Sequence, residues 1–520
     1  RHYLGALVNN MVATLEFLLE VDSEIKFLTF ADPPGWRIYR NTANYLLAKV
    51  VQEVFPEATF AIEHSLGTGF YCYFQMNGEE GITDEQREQL KARFFELVKA
   101  AHPIERRKVS YAAAVQHFED SGQLDKANLL RFRNPGKVVV YACNDFIDLS
   151  HGPLAHSTDA LTHVDLLAHP PGFVIQFPDR SVPPRVPPLR LQPVLFTIFQ
   201  EHKRWGRNLK VSNVGRLNEL VASKQSVDFI RIAEALHEKR IAQVADRVTE
   251  QSGRVRYLLI AGPSSSGKTT FAKRLSIQLR VNGLEPVAIS VDNYFVDREH
   301  TPRDEQGNFD FEHIEAIDLA LFNEHLKALD EGREISLPRF NFQEGKKEFT
   351  GETLRLKPHQ IVILEGIHCL NPRLTEAIPA EHKLKIYISA LTQLNLDANN
   401  RISTTDNRLV RRMVRDHQFR GHSALQTMTM WPSVRRGEKT WIFPFQQEAD
   451  IAFNSALDYE LAVLKPYAEM LLAEVKPHHT QYAEARRLQE FLTLFLPIST
   501  DQVPPTSILR EFVGQSSFRY

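Results

Sequence analysis

The run Gly262-Pro-Ser-Ser-Ser-Gly267-Lys268-Thr269 makes the most specific chemical statement in the chain. It fits the spacing G-x-x-x-x-G-K-[ST] without departure, between the apolar run Val255–Ala261 and a helix-forming run that begins at Phe271. Its glycines let backbone N–H groups close around phosphate oxygens, and the helix that follows turns its positive end on the same anion. Lys268 adds a mobile positive charge for the outer phosphates, and the Thr269 hydroxyl is a natural Mg2+ ligand. Gly262, Ser264, Ser265, Ser266, Gly267, Lys268, Thr269 and Thr270 are therefore the candidate nucleotide-binding residues. The flanking strand and helix argue against the plain alternative, a Gly/Ser turn with a solvent lysine. The motif implies a nucleoside triphosphate and leaves its fate open.

Three later features suit an acceptor. The run Val287–Val291 ends in Asp292-Asn293-Tyr294-Phe295. A carboxylate at the C-terminal end of a parallel strand faces the crevice where such sheets bind ligands. There Asp292 can take a proton from an acceptor hydroxyl and help to hold Mg2+; the other use of a strand-end Asp is a helix cap. Ile361–Leu364 likewise ends in Glu365-Gly366, where a carboxylate can orient a Mg2+-bound water or merely serve a turn. Arg408, Arg411, Arg412, Arg415 and Arg420 crowd one stretch, and Arg408, Arg412 and Arg415 share one helical face. With only Asp416 interleaved, the aligned guanidiniums would repel unless an anionic ligand lay against them, as in a lid closing over a phosphoryl group. A solvated basic helix and an RNA-binding patch are the alternatives.

The elements that must position these residues follow from periodicity. From residue 254 to about 475, strand-sized runs (Val255–Ala261, Val287–Val291, Ile361–Leu364, Leu384–Ile388) alternate with helical ones (Phe271–Asn282, Ile317–Leu329). That pattern predicts an α/β fold, a parallel sheet covered by helices on both faces. Residues 1 to about 160 mix short strands and helices, with Leu90, Phe94, Leu97 and Val98 at helical spacing. The stretch 166–200 carries Pro170, Pro171, Pro178, Pro183, Pro184, Pro187, Pro188 and Pro193, which argues against a long helix and for extended chain between domains. An apolar stripe from Val227 to Val248 predicts one or two amphipathic helices, and a last helix near Tyr482–Leu494 precedes a Pro/Ser-rich tail. The expected organisation is 1–31, 32–165, 166–250, 251–475 and 476–520.

Composition sets outer limits. A chain of 520 residues, 43 % hydrophobic and 24 % charged, is that of a soluble globular protein with several domains. No run of about 18 apolar residues occurs, which excludes a membrane-spanning helix. The formal charge of -2 excludes a generally basic nucleic-acid coat but not a local patch. Cys72, Cys143 and Cys369 are too far apart for a disulfide framework or a zinc knuckle. With no signal peptide after Arg1, a cytoplasmic location is expected, and Arg1 in place of Met points to residues missing ahead of it.

Residues 254–475, about two-fifths of the chain, resemble the uridine kinase and phosphoribulokinase family of P-loop kinases. The resemblance rests on the Gly262–Thr270 loop, Val291–Phe295, Phe309-Asp-Phe-Glu-His313, Leu337-Pro-Arg-Phe-Asn-Phe342, Val362-Ile-Leu-Glu-Gly366 and Arg408–Gly421. It implies phosphoryl transfer from ATP, with Mg2+, to the 5'-hydroxyl of a nucleoside. Asp292 would be the catalytic carboxylate and Glu312 the grip on the ribose hydroxyls. Arg412 and Arg415 would meet sugar and phosphate, and Arg420 would lie where the lid meets ATP. Thr269 and Glu365 would hold the metal. Two positions depart from the family. The Tyr and, five residues on, the His that read a pyrimidine are here Phe340 and Gly345. Phe340 stacks without donating a hydrogen bond, and Gly345 leaves room for a purine, so base discrimination is expected to be loose or moved away from pyrimidines. His422 replaces a later lid Arg. A phosphoribulokinase-type sugar-phosphate kinase stays open through the extra Arg408 and Arg411. So does an ATP-sensing, RNA-binding regulator, against which Asp292 and the arginine cluster together speak.

Asp32–Thr158 resembles the α+β editing domain of threonyl-tRNA synthetase, and Arg1–Phe30 the end of the TGS domain before it. The pointers are Gly69-Phe70-Tyr71, His102-Pro-Ile-Glu-Arg-Arg107 and Phe146-Ile-Asp-Leu149 with Gly152-Pro153. Editing chemistry needs an H-x-x-x-H and a C-x-x-x-H pair. Those positions read Arg40, Asn44, Ser150 and Leu154, and His64, His102, His151 and His156 are scattered. Neither editing nor bound Zn2+ is expected. RNA binding, ligand sensing and subunit association are left open.

Overall fold

The computed structural model describes residues 3–181, 184–305, 307–341 and 343–520; Pro183 and Phe342, both drawn into the expectations above, lie outside them. Five parallel strands form the central sheet in the order Glu285–Ser290, Gln360–Glu365, Tyr257–Ala261, Lys383–Ser389 and Ile451–Asn454. Successive side chains of a strand point to opposite faces, and here they supply two separate cores. Leu258, Ile260, Ile363, Ile386 and Ile388 pack with the helices Lys268–Val281 and Ser226–Glu250. Tyr257, Leu259, Val362, Leu364 and Tyr387 pack with Leu319–Asp330 on the other face. The sequence-based strands recur within about two residues. Ile451–Asn454, a short edge strand, was not anticipated, and residues 226–250 form one helix.

In the N-terminal region an antiparallel sheet runs Asp165–His169, Gly172–Gln176, Gly69–Met76 and Thr59–Leu66, packed on the helices Pro33–Val54 and Asp84–Ala100. Its first two strands come from the proline-rich stretch that read as an extended connector. Pro170 and Pro171 turn this hairpin instead of breaking it. Nor do the prolines exclude a helix. Pro193 opens the helix Pro193–Leu209 at a position where its missing N–H costs nothing. The C-terminal tail is not loose: Ile508, Leu509 and Phe512 are fully buried in the core beneath the helix Lys268–Val281.

The loop 395–401, just ahead of the helix Thr404–Arg420, docks on the N-terminal region. Ile62 N donates to Ala398 O (2.8 Å), Ala398 N to Asp125 Oδ2 (2.7 Å) and Asn399 Nδ2 to Asp148 Oδ2 (2.7 Å). Asn400 donates to Leu149 O, and His151 Nε2 lies 3.3 Å from Asp397 Oδ2. Beneath them Lys126 and Asp148 form a buried ion pair. The residues at the vanished editing positions border this contact. Arg40 stacks 3.8 Å over Trp36 and feels Arg401 and Asp406, while Ser150 is flanked by Leu149 and His151. Among the described residues no helix is long and apolar enough to cross a membrane.

Candidate active site

The phosphate-binding loop joins the central strand to the helix Lys268–Val281. Two of its residues take left-handed backbone, Ser265 (φ 59°) and Gly267 (φ 81°). At Gly262 a Cβ would sit 2.1 Å from Ile388 O, so only glycine lets the loop start this close to the neighbouring strand. Lys268 is buried, its Nζ 3.5 Å from Pro263 O. The loop is braced from behind: Ser455 Oγ donates to Ser266 O, Arg408 Nε to Ser264 O (2.9 Å) and Arg412 Nη1 to Ser264 Oγ (2.6 Å).

Three carboxyl groups share Lys268 as a counter-charge. Asp292, in the turn Val291–Tyr294 at the end of its strand, is open to water yet closely surrounded by protein. That enclosure raises its pKa, while Lys268, Arg420 and Arg415 pull it back. Glu365 is pushed up to about 7 by burial, against Lys268 and the Thr269 hydroxyl, with Asp292 and Glu511 adding to the rise. Glu312 is also raised by burial, Arg412 opposing, and its Oε2 is buried without a hydrogen-bond partner among the described residues. Gly437 backs onto it so closely that a Cβ there would lie 2.1 Å from Glu312 Cβ. The Thr269 hydroxyl beside the Glu365 carboxylate is a hard-oxygen donor set that suits Mg2+, which takes one or two carboxylates and completes its shell with phosphate and water.

The arginine cluster departs from expectation. Sequence spacing left Arg408, Arg412 and Arg415 without acidic partners except Asp416. In the structure Arg408 and Arg415 each have one supplied by a distant segment, as does Arg411, while Arg412 keeps Asp416. Arg408 pairs with Glu438 and Arg411 with Glu460, all four buried. Those two arginines are tied up in buried ion pairs and donate to the Ser264 and Ser265 carbonyls of the loop. Arg412 Nε lies 2.5 Å from Asp416 Oδ2, Arg420 Nη1 3.2 Å from Asp416 Oδ1, and Arg415 Nη1 3.4 Å from Glu511 Oε1. Arg412 pulls Glu312 down, Arg420 and Arg415 pull Asp292 down, and Arg408 also feels Glu312.

On the acceptor side, Phe340 lies in the hairpin Ile335–Asn341/Lys346–Leu354, its ring 5.5 Å from Phe295. The room expected at Gly345 is not empty. A Cβ there would meet Arg298 Nε at 2.7 Å, and Gly345 has φ +70°. A guanidinium stands where the family's His was missed. Arg298 went unread because nothing in its local sequence marks it; Arg298 N also donates to Gly345 O at 2.8 Å. His368, three residues beyond Glu365, is buried, and among the described residues neither ring nitrogen has a partner.

Comparison with known proteins bears on both regions. Residues 258–462 match the Phosphoribulokinase / Uridine kinase family. The N-terminal region is similar to threonine–tRNA ligases. That of Clostridium kluyveri is 30 % identical over 166 residues, 32 % of this chain and 26 % of the ligase. That of Pelobacter propionicus is 35 % identical over 150 residues, 29 % of this chain and 23 % of the ligase. The chain thus spans about a quarter of the length of these curated relatives. Among solved structures, a putative fructose transport system kinase from a Silicibacter species aligns at TM-score 0.30 and 16 % identity, over 41 % of this chain and 98 % of that one. A possible uridine kinase from Bacillus stearothermophilus aligns at 0.27 and 19 %, over 39 % and 89 %. This chain joins an N-terminal region similar to a part of threonine–tRNA ligases to a region, residues 258–462, that matches the model of the Phosphoribulokinase / Uridine kinase family.

Proposed function

We propose that this protein transfers a phosphoryl group from ATP to a hydroxyl of an uncharged, nucleoside-like acceptor. The observation that carries the reading is Asp292, a strand-end carboxyl with a raised pKa that feels Lys268 of the phosphate-binding loop and Arg415 and Arg420 of the arginine cluster. Asp292 accepts the proton as the acceptor oxygen attacks, and Lys268, Arg412 and Arg415 face the charge that gathers on the transferring group. Thr269 and Glu365 would hold Mg2+, which when bound neutralises phosphate charge. Glu312, with an Oε2 unpartnered among the described residues, suits a sugar hydroxyl. Arg408 and Arg411 were the argument for a sugar-phosphate acceptor. Their burial in ion pairs favours a neutral one.

The test is ADP formation against uridine, cytidine, inosine, their deoxy analogues and a set of sugar phosphates. A neutral nucleoside is expected to be turned over, with weak preference among bases and a loss of roughly 5- to 150-fold for each missing sugar hydroxyl. Lys268→Ala should cut the rate by about 100-fold or more while the protein stays folded. Turnover of sugar phosphates alone, or an unaffected Lys268→Ala variant, would refute the reading.

A further inference from the structure

Segment 511–520 lies against the first turn of the helix that follows the phosphate-binding loop. Glu511 Oε2 accepts hydrogen bonds from Thr270 Oγ1 (2.7 Å) and from Thr270 N (3.3 Å), and Glu511 Oε1 lies 3.4 Å from Arg415 Nη1. Tyr520 Oη lies 2.8 Å from the same Thr270 Oγ1. Lys273 donates to Arg519 O and sits 5.1 Å from the Tyr520 ring. Glu511 is 7 % exposed. A fixed negative charge therefore occupies the first turn of the helix Lys268–Val281 and draws on Arg415, which also pulls on Asp292.

That turn is where a phosphate-binding loop presents its amides to an anion. A carboxylate oxygen and a phosphate oxygen compete for one N–H, and two anions at that spacing repel. Glu511 is thus a built-in stand-in for a phosphate. We propose that the C-terminal segment Glu511–Tyr520 is a self-inhibitory strap, with Glu511 holding part of the phosphate site until a nucleoside triphosphate displaces it. This rests on the loop being a triphosphate site.

The segment has a fixed half and a releasable half. Phe512 and Val513 are core residues, so the strap cannot leave as a whole. Gly514, at φ +83°, is a joint only glycine adopts readily, and the chain beyond it is largely exposed. Gln515–Tyr520 swings from that joint, and the Glu511 side chain turns out once Thr270 has a better anion. Docked strap lowers apparent nucleotide affinity by the fraction of molecules left open.

ATP binding by calorimetry to the full chain, to Glu511→Gln and to a chain ending at Gln515 tests this. Both variants should bind about tenfold more tightly than the parent. Hydrogen exchange of the parent should quicken over 515–520 when ATP is added. Unchanged or weaker affinity in both variants, or protection of 515–520 by ATP, would overturn the strap while leaving the site intact. Absence of ATP binding in all three proteins would overturn the site reading as well.

Discussion

A carboxylate that titrates near neutrality holds a metal only while it is ionised, and Glu365 is such a group. Burial lifts it to about 7. Below that pH the acid is protonated and offers Mg2+ no charge, so phosphoryl transfer should fall about tenfold per pH unit on the acid side. Saturating Mg2+ should push that limb to lower pH, because the cation favours the ionised form. A rate flat between pH 6 and 8 at limiting Mg2+ would exclude Glu365 from the metal site. Stability runs the other way. With its folded pKa above its unfolded one, Glu365 favours the fold most below about 4.5 and loses that advantage as pH rises to about 7. Glu365→Gln should therefore raise Tm by roughly 2–4 °C at pH 8 and leave it unchanged near pH 4, as read by scanning calorimetry.

The helix Thr404–Arg420 separates what local sequence can say from what it cannot. Its arginine face was legible from spacing alone, as was the phosphate-binding loop, whose geometry is contained in consecutive residues. The partners were not legible. Glu438, Glu460 and Glu511 reach the helix only after the chain has folded back, and no local pattern announces that. Arg298 at Gly345 was hidden for the same reason. Burial now predicts two classes of arginine. Arg411→Ala leaves Glu460 buried without its counter-charge and should cost about 3–5 kcal/mol in urea unfolding. Arg412→Ala leaves Asp416 with Arg420 beside it and should cost under about 1 kcal/mol while lowering kcat sharply. Equal stability losses in the two variants would show that the helix is uniformly structural.

Over the whole molecule, the N-terminal region is wired to the helix Thr404–Arg420 along two routes. One is the loop 395–401, which leads straight into Ser403, the cap of the helix Thr404–Arg420. The other is a chain of charges: Arg37 meets Glu484 at 2.9 Å, Glu484 pairs with Arg487, and Arg487 reaches Asp406 in the first turn of that helix at 2.7 Å. The first route is anchored on Lys126, the positive charge that Asp125, Asp148 and Asp397 share at a buried contact. Lys126→Met keeps the shape of the stem and removes that charge. Three carboxylates are then left to repel one another, and the expected loss is about 3–5 kcal/mol. A distant structural defect would lower Tm and leave turnover alone. The wiring predicts more: kcat should fall with Tm, because the loop that loosens carries the cap of the helix bearing Arg412 and Arg415. Adding Asp148→Asn to Lys126→Met should recover part of both, since one repelling charge is gone. Turnover that stays at the parental rate in a destabilised Lys126→Met protein would mean that the N-terminal region is attached to the kinase domain without acting on it.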